Sequence, residues 1–521
     1  MSISKICNNP IVKIGLISCI SLILGLLFDY FFYDKMLGIS FPIYVTFIIL
    51  GLFTISRILL GLFTISRILK KQINKQNLLL LIPLVFFSTM VFIRTSHLLT
   101  FFNVIISFIL LLLIAKTVYG NKVNTFLMKD YVKIIFLPLK FVFPLFHTLS
   151  ALFSSHKTNE EQKNLSHILK GLVIAIPIIF VFILLFSSAD LVFQKYVSDL
   201  VTINIQPETF LRFILILIVT FIFIGAYSYI FQESKKQKAI KQENKNYIIG
   251  NIESSVVLGS INLLFLLFIL VQLTYLFGGE SNISAQGFTY AEYARRGFFE
   301  LIIVAIISLL LLLVAEKYVR KEKKTHELSF KTLSTVMIAQ VIVIMASAFM
   351  RLLLYERAYG FTTLRLYSHS FLILLAIIFC LLIYKIYWDS RENTFALHVF
   401  ISVLVFLAGM NLLNPDLFIA QQNIERFTTN GEIDVYYLST LSDDAIPEVV
   451  KTLDMLDGDM KDSLGYQLYW RTQQDNDSTK WQSFNISRSK AKEVLDSRIK
   501  ELENYKDYQI TPQRLSDTLT N

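Results

Sequence analysis

Two stretches of this sequence concentrate side chains that could bind a polar ligand or react with one. The first runs from Tyr290 to Phe298 and the second from Arg351 to Tyr367, and each lies beside a hydrophobic segment. The candidates share carboxylate, guanidinium or hydroxyl groups and are Asp190, Tyr290, Glu292, Tyr293, Arg295, Arg351, Tyr355, Glu356, Tyr359, Thr362, Arg365 and Tyr367. Because such groups are unfavourable near lipid, we expect either a polar junction that satisfies its own charges or a ligand site.

The charges of the second stretch predict a need for a counter-charge. Arg351 and Arg365 lie at the two ends of a short hairpin predicted around Tyr359 to Thr362. Two guanidinium groups there would repel each other unless a carboxylate or an anionic ligand lay between them. The available carboxylates are Glu356 within the stretch and Glu292 and Asp190 in neighbouring loops.

The first stretch contains charges of both signs at helical spacing. In a helix, Glu292, Arg296 and Glu300 would lie on one side and neutralise one another. We therefore favour a self-satisfied ion network there over a ligand site. His369, one turn after Arg365, is interpreted as a hydrogen-bonded interior histidine, because no second histidine or carboxylate shares its helix face.

The elements that must position these residues are membrane helices. The chain is 54% hydrophobic and only 17% charged, with a mean hydropathy of +0.57, which exceeds the range of soluble globular domains. Its apolar blocks have the length that a helix needs to cross about 30 Å of hydrocarbon. We predict an all-α integral membrane protein with about eleven transmembrane helices, near residues 11–28, 41–60, 78–93, 98–114, 168–186, 210–231, 254–277, 298–314, 332–354, 366–384 and 394–413.

Lysine and arginine clusters orient the chain, because positively charged loops stay in the cytoplasm. These clusters follow the even-numbered spans, at residues 70–75, 116–170, 235–245 and 317–324. This pattern predicts a cytoplasmic N-terminus and places both candidate stretches on the outer side. The basic excess suits a cytoplasmic membrane surface with anionic lipids, and no aromatic-basic motif indicates nucleic acid.

Composition divides the chain into four predicted regions. They are a four-helix membrane region at 1–114, a cytoplasmic or interfacial loop at 115–167, a seven-helix membrane core at 168–413 and an extracytoplasmic helical tail at 414–521. Pro138 and Pro144 predict that the loop forms a broken amphipathic helix in the headgroup plane. The tail holds 12 basic and 19 acidic residues although the whole chain has a net charge of +10. We expect its helices to begin near Asn414 and Ser442, near Lys461 and near Ser487.

Several other features favour structural interpretations. The repeat of residues 51–60 in residues 61–70 is read as a recent duplication that lengthens the second span. The sequon that begins at Asn485 is read as a chance occurrence. Three cysteines predict neither a disulfide framework nor a zinc site. The polar residues inside spans are expected to hydrogen-bond between helices, and they are Asn103, Asn262, Gln272 and Gln340.

A set of short motifs carries a family resemblance. The motifs are Phe186–Phe193, Tyr290–Phe299, Arg351–Tyr355, Tyr359–Tyr367, Asn414–Asp416, Asp434–Leu438 and Leu441–Pro447. In combination they resemble a bacterial family of polytopic membrane proteins known only as a domain of unknown function, over about half of the chain from the fifth span onward. The resemblance implies a multi-pass membrane fold and no assigned reaction. In that family an acidic residue is usual at the position of Arg296 and an amide at that of Glu300, so pairing between these two would be specific to this chain.

The leading functional hypothesis is a non-enzymatic envelope scaffold or sensor of the inner membrane. Its expected partners are the bilayer, an anionic lipid or envelope component, and a protein bound by the tail. The alternatives are a transporter of a small anionic solute and a polyprenyl-sugar glycosyltransferase that uses Asp29 and Asp34 of the first outer loop. No phosphate loop, nucleophile motif or metal-binding helix points to a cofactor.

Overall fold

The structure is a computed structural model. It describes residues 10–59, 79–117, 123–153, 207–233, 249–276, 298–320, 323–474 and 480–508, and single positions between 168 and 196. Within these ranges the chain is helical apart from turns and one isolated β-bridge between Ile249 and Val319. The second copy of the repeat and four of the candidate residues lie outside the described residues, the four being Tyr290, Glu292, Tyr293 and Arg295.

Ten apolar helices form the membrane part of the described chain. They are α1 (Pro10–Phe32), α2 (Ser40–Leu59), α3 (Leu81–Ile93), α4 (His97–Thr117), α7 (Pro207–Glu233), α8 (Asn251–Leu276), α9 (Phe298–Tyr318), α10 (Lys324–Tyr359), α11 (Thr363–Tyr387) and α12 (Glu392–Leu413). Eight of them are long and apolar enough to cross a membrane, whereas α2 and α3 contain shorter apolar stretches. α3 has 13 residues and ends where Arg94 adopts an extended backbone conformation.

The prediction of an all-helical protein with apolar helices of membrane-spanning length is confirmed. Eight of the predicted spans coincide with these eight helices, and α2 and α3 occupy two more. The predicted span at 168–186 is described only at scattered positions. The number eleven therefore remains a prediction.

The connection after α4 consists of short helical pieces. α5 (Met128–Ile135) is followed by a 3-10 turn at Leu137–Phe141 and then by α6 (Val142–Phe153). The interruption coincides with Pro138, which has no backbone N–H to continue the helix. α6 packs against α7, where the Thr148 and Ser228 hydroxyl groups lie 2.7 Å apart. A broken helix was predicted here, and its position in the headgroup plane stays a prediction.

Two hydrophobic cores lie within the membrane part. The first contains Leu84 and joins α1 to α4 with α7, and the second contains Phe379 and joins α8 to α11. α12 contributes to both cores, because Phe395 belongs to the second and Leu407 to the first. This helix therefore connects the two bundles before the chain enters the tail.

Buried amide side chains link the membrane helices. Asn103 of α4 and Asn411 of α12 exchange two hydrogen bonds of 2.8 Å each. Asn262 of α8 donates to the Leu333 carbonyl oxygen at 3.0 Å, and Gln340 of α10 donates to the Asn262 carbonyl oxygen at 3.0 Å. The predicted role of these amides in holding helices together is confirmed for Asn103, Asn262 and Gln340.

The described tail is a compact group of helices. They are α13 (Pro415–Asn430), α14 (Val435–Thr440), α15 (Ile446–Thr452), α16 (Gly458–Gln474), α17 (Ile486–Ser497) and α18 (Ile499–Leu502). Their apolar faces form a third core, in which Ile419, Val449 and Leu464 are fully buried. The helix expected at Ser442 begins later, at Ile446. The residues before it make other contacts: the Ser442 N–H donates to Asp416, and Asp444 accepts from the Thr95 N–H.

The tail rests on one end of the membrane helices. Three turns at this end contact it: residues 33–39 between α1 and α2, residues 94–96 between α3 and α4, and residues 360–362 between α10 and α11. We call this end the tail face. Lys323 before α10 and the turn at 388–391 after α11 lie at the other ends of these two helices.

Candidate functional site at the tail junction

Asp444 is the centre of a polar junction between the tail and the membrane helices. Its side chain is fully buried. Oδ2 accepts hydrogen bonds from the backbone N–H groups of Thr95 at 2.7 Å and Ser96 at 3.1 Å. Oδ1 accepts from the Ser487 hydroxyl at 2.6 Å and lies 3.5 Å from the Arg94 guanidinium. Because a buried carboxylate is stable only when its oxygens are bonded, these contacts determine how the tail sits on the α3–α4 turn.

Asn485 completes the same junction from the start of α17. It is 2% exposed, and its amide donates to the carbonyl oxygens of Val91 at 3.2 Å and Arg94 at 3.0 Å. The Ser487 hydroxyl lies 2.8 Å from the Ile93 carbonyl oxygen. Tail side chains therefore bond carbonyl groups that the end of α3 leaves without helical partners. The burial of Asn485 agrees with the interpretation of its sequon as a chance occurrence.

A second buried carboxylate lies beside Asp444. Asp416 accepts a hydrogen bond from the Ser442 backbone N–H at 3.3 Å and is 5% exposed. Burial raises the pKa of Asp416; the Ser442 hydrogen bond opposes this rise and the Asp444 charge adds to it. Tyr367 of α11, one of the predicted candidates, lies near both carboxylates. The junction thus brings a predicted residue together with two acids that were not predicted as site residues.

The α10–α11 turn is bound to the tail by its backbone. The Asn423 side chain accepts from the Phe361 N–H at 2.7 Å and donates to the Phe361 carbonyl oxygen at 2.8 Å. The Tyr437 hydroxyl accepts from the Thr363 N–H at 2.7 Å. Gly360 has φ +79°, and a Cβ there would lie 2.6 Å from the Asn423 Oδ1 atom. The turn therefore needs glycine both for its backbone conformation and for the approach of the tail.

Among the described residues, Arg365 is held within this turn by an aromatic ring and carbonyl oxygens and not by a carboxylate. Its guanidinium lies over the Tyr355 ring, 4.0 Å from the centroid. It also donates to the carbonyl oxygens of Gly360 at 2.5 Å and Tyr359 at 3.3 Å. A cation–π contact and two carbonyl groups stabilise the charge. The expectation that Glu356 would offset Arg365 is corrected by this arrangement.

Glu356 is paired with His369 instead. Glu356 is 2% exposed and His369 is 7% exposed, and Glu356 Oε1 lies 3.1 Å from His369 Nδ1. His369 Nε2 lies 3.2 Å from the Phe349 carbonyl oxygen. The prediction of a hydrogen-bonded interior histidine is confirmed. Its carboxylate partner comes from the neighbouring helix α10, which inspection of one helix face could not reveal.

The remaining described candidates are not part of the buried junction. Arg351 is half-buried on α10, and the exposed Tyr359 packs its ring against Tyr355 with centroids 4.9 Å apart. Thr362 precedes α11 and makes no side-chain capping bond. Asp190 is exposed and accepts from the second and third following backbone N–H groups at 2.8 Å, a local contact at the start of a helical stretch.

The α1–α2 turn meets the tail through close backbone contacts. The Ile39 N–H donates to the Phe484 carbonyl oxygen at 2.8 Å. A Cβ at Gly38 would lie 2.5 Å from the same oxygen. The Met36 N–H donates to the Ser483 hydroxyl at 3.1 Å. Together with the other two turns, this contact gives the tail three separate attachment points.

The acidic residues of the glycosyltransferase hypothesis both have cationic partners. Asp29 is 6% exposed and accepts two hydrogen bonds from Arg212 of α7, at 3.1 Å and 2.6 Å. Asp34 pairs with Lys480 of the tail at 2.9 Å, and the Lys480 ammonium lowers the pKa of the Asp34 carboxyl. These pairs join α1 to α7 and the α1–α2 turn to the tail. The geometry therefore assigns structural contacts to both carboxylates.

An open groove of about 490 Å³ runs between the α3–α4 turn and the tail, and we call it the junction groove. Its lining includes His97, Trp470, Arg471, Arg488 and Asp443. Asp443 accepts from Arg471 at 2.9 Å and lies 3.8 Å from Arg488. Polar and charged side chains line much of the groove, and Asp443 pairs with both Arg471 and Arg488. Among the described residues, no group of three His, Cys, Asp or Glu side chains could hold a metal ion.

Sequence reasoning missed the residues that do most of the joining, which are Arg94, Asn423, Asp444 and Asn485. Asp444 was read as the start of a helix, because aspartate is frequent at such positions. A signal existed for Asp444, since the motif Leu441–Pro447 belongs to the family resemblance. Arg94, Asn423 and Asn485 carry no local pattern that distinguishes a docking contact from an ordinary polar residue.

Comparisons with known proteins give one match. A family model described as a domain of unknown function, DUF4153, matches residues 81–452. No curated protein and no solved structure matches the chain. The matched region begins at α3 and ends with α15, so it includes the α3–α4 turn, the α10–α11 turn and Asp444. The match begins at residue 81, whereas the motifs that carry the resemblance begin at Phe186.

Proposed function

Because the chain belongs to the DUF4153 family, a domain of unknown function, we propose its role from its own geometry: it is a bacterial inner-membrane protein that acts as an envelope scaffold or sensor. The tail is the part that meets a protein or envelope component. The membrane helices hold the tail at a defined position on the outer surface.

The observation that carries this proposal is the buried hydrogen bonding of Asp444. A flexible tether would leave its polar groups in water, where they need no protein partner. In this junction the Asp444 carboxylate and the Asn485 amide are buried and bonded to the α3–α4 turn. Buried polar networks fix one geometry, because any shift leaves unbonded groups. A tail held in one position can present a constant surface to a partner, as a scaffold does. It can also transmit the binding of a partner to the membrane helices, as a sensor does.

Charge distribution supports the outer position of the tail. The tail carries 12 basic and 19 acidic residues, whereas the opposite ends of the membrane helices carry basic residues such as Lys317, Arg320, Lys323 and Lys324. Basic residues in short loops favour the cytoplasmic side. The tail face is therefore assigned to the outer side in this proposal.

The transporter hypothesis keeps one supporting observation. Glu356 and His369 form a buried ionisable pair near the tail-face ends of α10 and α11, and ionisable residues inside membrane helices often serve transport. A transporter of an anionic solute would use this pair or Arg351. A scaffold would use them only to hold α10 against α11.

One complementation experiment separates the two functions. A strain lacking this gene is tested for detergent sensitivity and supplied with the full chain, with Asp444→Ala, or with Glu356→Gln, all at matched membrane levels. A scaffold predicts that Glu356→Gln restores resistance and Asp444→Ala does not. Asp457→Ala serves as the control, because Asp457 is exposed on the tail. The scaffold proposal fails if Asp444→Ala restores resistance fully while Glu356→Gln does not.

A further inference from the structure

An apolar groove runs along the membrane helices that form the first core. It has a volume of about 590 Å³ and lies between α1, α2, α4 and α7, and we call it the α1–α7 groove. Its lining is apolar or aromatic apart from one end, and it includes Phe28, Tyr44, Leu112, Phe223 and Ala226. A groove of this size falls within the range of ligand-binding cavities, about 300–1,000 Å³.

The shape of the groove suits a hydrocarbon chain. Along α2 the lining extends from Phe41 to Leu52, which corresponds to about 16 Å of helix. One leaflet of the hydrocarbon core is about 15 Å thick. On α4 the lining continues to Ala115, close to the opposite end of that helix. A lipid chain entering at the tail face would therefore find an apolar surface over its whole length.

The groove is accessible from the side on which a bilayer would lie. Phe108 and Ile222 both line it, and they are 49% and 51% exposed. Exposed apolar side chains of this kind are covered by lipid in a membrane helix bundle. A lipid of the surrounding bilayer can therefore enter laterally, with no need for a channel from water.

A single cation marks the tail-face end. Lys35 is the charged residue of the groove lining, and its ammonium group donates to the Tyr30 carbonyl oxygen. The neighbouring carboxylates are already paired, Asp29 with Arg212 and Asp34 with Lys480. Within the described ranges, no carboxylate lies within ion-pairing distance of Lys35.

The surroundings of Lys35 favour an added negative charge. Partial burial lowers the pKa of Lys35, the nearby Lys480 charge lowers it further, and Asp29 opposes both. Because Arg212 and Lys480 already pair with Asp29 and Asp34, the Lys35 charge is the one in this group of five described residues that no carboxylate pairs with. An anionic headgroup would supply the missing charge, while its chain covered the aromatic residues below.

We propose that the α1–α7 groove binds an anionic phospholipid of the bilayer, with its phosphate at Lys35 and one acyl chain along α2 and α7. This lipid would lie beside the α1–α2 turn, on which the tail rests. The lipid site can be tested separately from the scaffold function, because lipid binding is measured on the purified full chain and needs no partner.

Native mass spectrometry of the detergent-purified full chain tests the site. Phosphatidylglycerol and phosphatidylcholine with the same chains are the probes, and bound lipid is counted for each. We expect a preference for phosphatidylglycerol that Lys35→Met lowers about fivefold, since one lysine near an anionic surface contributes on the order of 1 kcal/mol. Lys35→Arg should keep the preference. Lys451→Met, which removes a tail lysine away from the groove, should also keep it.

Binding of the lipid acyl chain is tested by a substitution that fills the groove. Ala226→Phe should reduce the binding of both lipids, because the new ring occupies the space of the acyl chain. Ile218→Phe is the matched control, since it adds bulk on the same helix at a residue that does not line the groove. An unchanged thermal unfolding temperature verifies that each variant is folded. Equal phosphatidylglycerol binding by the wild type, Lys35→Met and Ala226→Phe would overturn the proposal, as would binding of a polyprenyl phosphate in its place.

Discussion

At the scale of single residues, a few buried polar side chains determine how the tail meets the membrane helices. Asp444 bonds two backbone N–H groups of the α3–α4 turn, and Asn485 bonds two carbonyl oxygens near the end of α3. Each of these bonds replaces a hydrogen bond to water that the polar group lost when it was buried. Removing one partner therefore leaves the other buried and unbonded, which is more harmful than the bond alone would suggest.

Asp444→Ala tests this role. It leaves the Thr95 and Ser96 N–H groups without their acceptor, and each unbonded buried group costs about 1–3 kcal/mol. We expect the free energy that holds the tail in place to fall by about 1–3 kcal/mol, because Ser96 is buried whereas Thr95 is half-buried beside the junction groove. Hydrogen exchange of the α17 amides in the purified full chain provides the measurement, and exchange should accelerate throughout α17.

Asp457→Ala is the matched control for this variant. Asp457 is exposed on the tail, so its removal should leave α17 protection unchanged. Equal protection of α17 in Asp444→Ala and in the wild type would show that the apolar core of the tail holds it in place without the carboxylate.

At the scale of elements, the α10–α11 hairpin and α12 organise the junction. The hairpin presents its turn to Asn423 and Tyr437 of the tail, and α12 joins the two membrane cores before leading into α13. The positions of these helices could be predicted from hydropathy. Their pairing could not, because hydropathy does not identify which apolar faces meet.

Gly360→Ala tests the hairpin. Gly360 has φ +79° and ψ 178°, a combination that is essentially restricted to glycine and costs other residues about 1–3 kcal/mol. The new Cβ would also displace Asn423. We expect a fall in the thermal unfolding temperature together with faster hydrogen exchange in α13.

Gly431→Ala is the control for this variant. Gly431 also has a positive φ, of +73°, but a Cβ there would meet no atom within 4 Å. Its substitution should therefore lower stability less than Gly360→Ala and leave the hairpin contact intact. Equal effects of the two variants would mean that neither the unusual ψ of Gly360 nor the Asn423 contact adds to the loss.

At the scale of the whole molecule, the tail face collects three turns that are far apart in sequence. Residues 33–39, 94–96 and 360–362 all contact the tail, so these ends of the helices lie on one side. The alternation of helix ends agrees with the alternation of basic loops in the sequence. The distribution of lysine and arginine predicts that this side faces away from the cytoplasm.

Cysteine labelling tests this orientation. In a chain whose three cysteines are replaced by serine, Asp457→Cys and Ser390→Cys place single exposed thiols on the tail and on the opposite turn. A membrane-impermeant maleimide added to intact cells should label the first variant and not the second. After permeabilisation both should react. Labelling of Ser390→Cys alone in intact cells would reverse the orientation and place the tail in the cytoplasm.

The sequence by itself determined the class of the protein and most of its membrane helices. Long apolar blocks predict helices because a segment crossing lipid must satisfy its backbone hydrogen bonds internally. The same reasoning identified the interior histidine and the amides that join helices. Each of these properties depends on residue type and local spacing.

Only the tertiary structure decided where the polar junction lies. The second candidate stretch contributes Tyr367 and the hairpin turn, yet the carboxylates at the centre of the junction are Asp416 and Asp444 of the tail. Asp444 is bonded by the α3–α4 turn, 349 residues away at Thr95, and by Ser487 of α17, whereas Asp416 is bonded by Ser442 within the tail. A carboxylate is placed by the donors that surround it, and those donors become neighbours only when the helices pack.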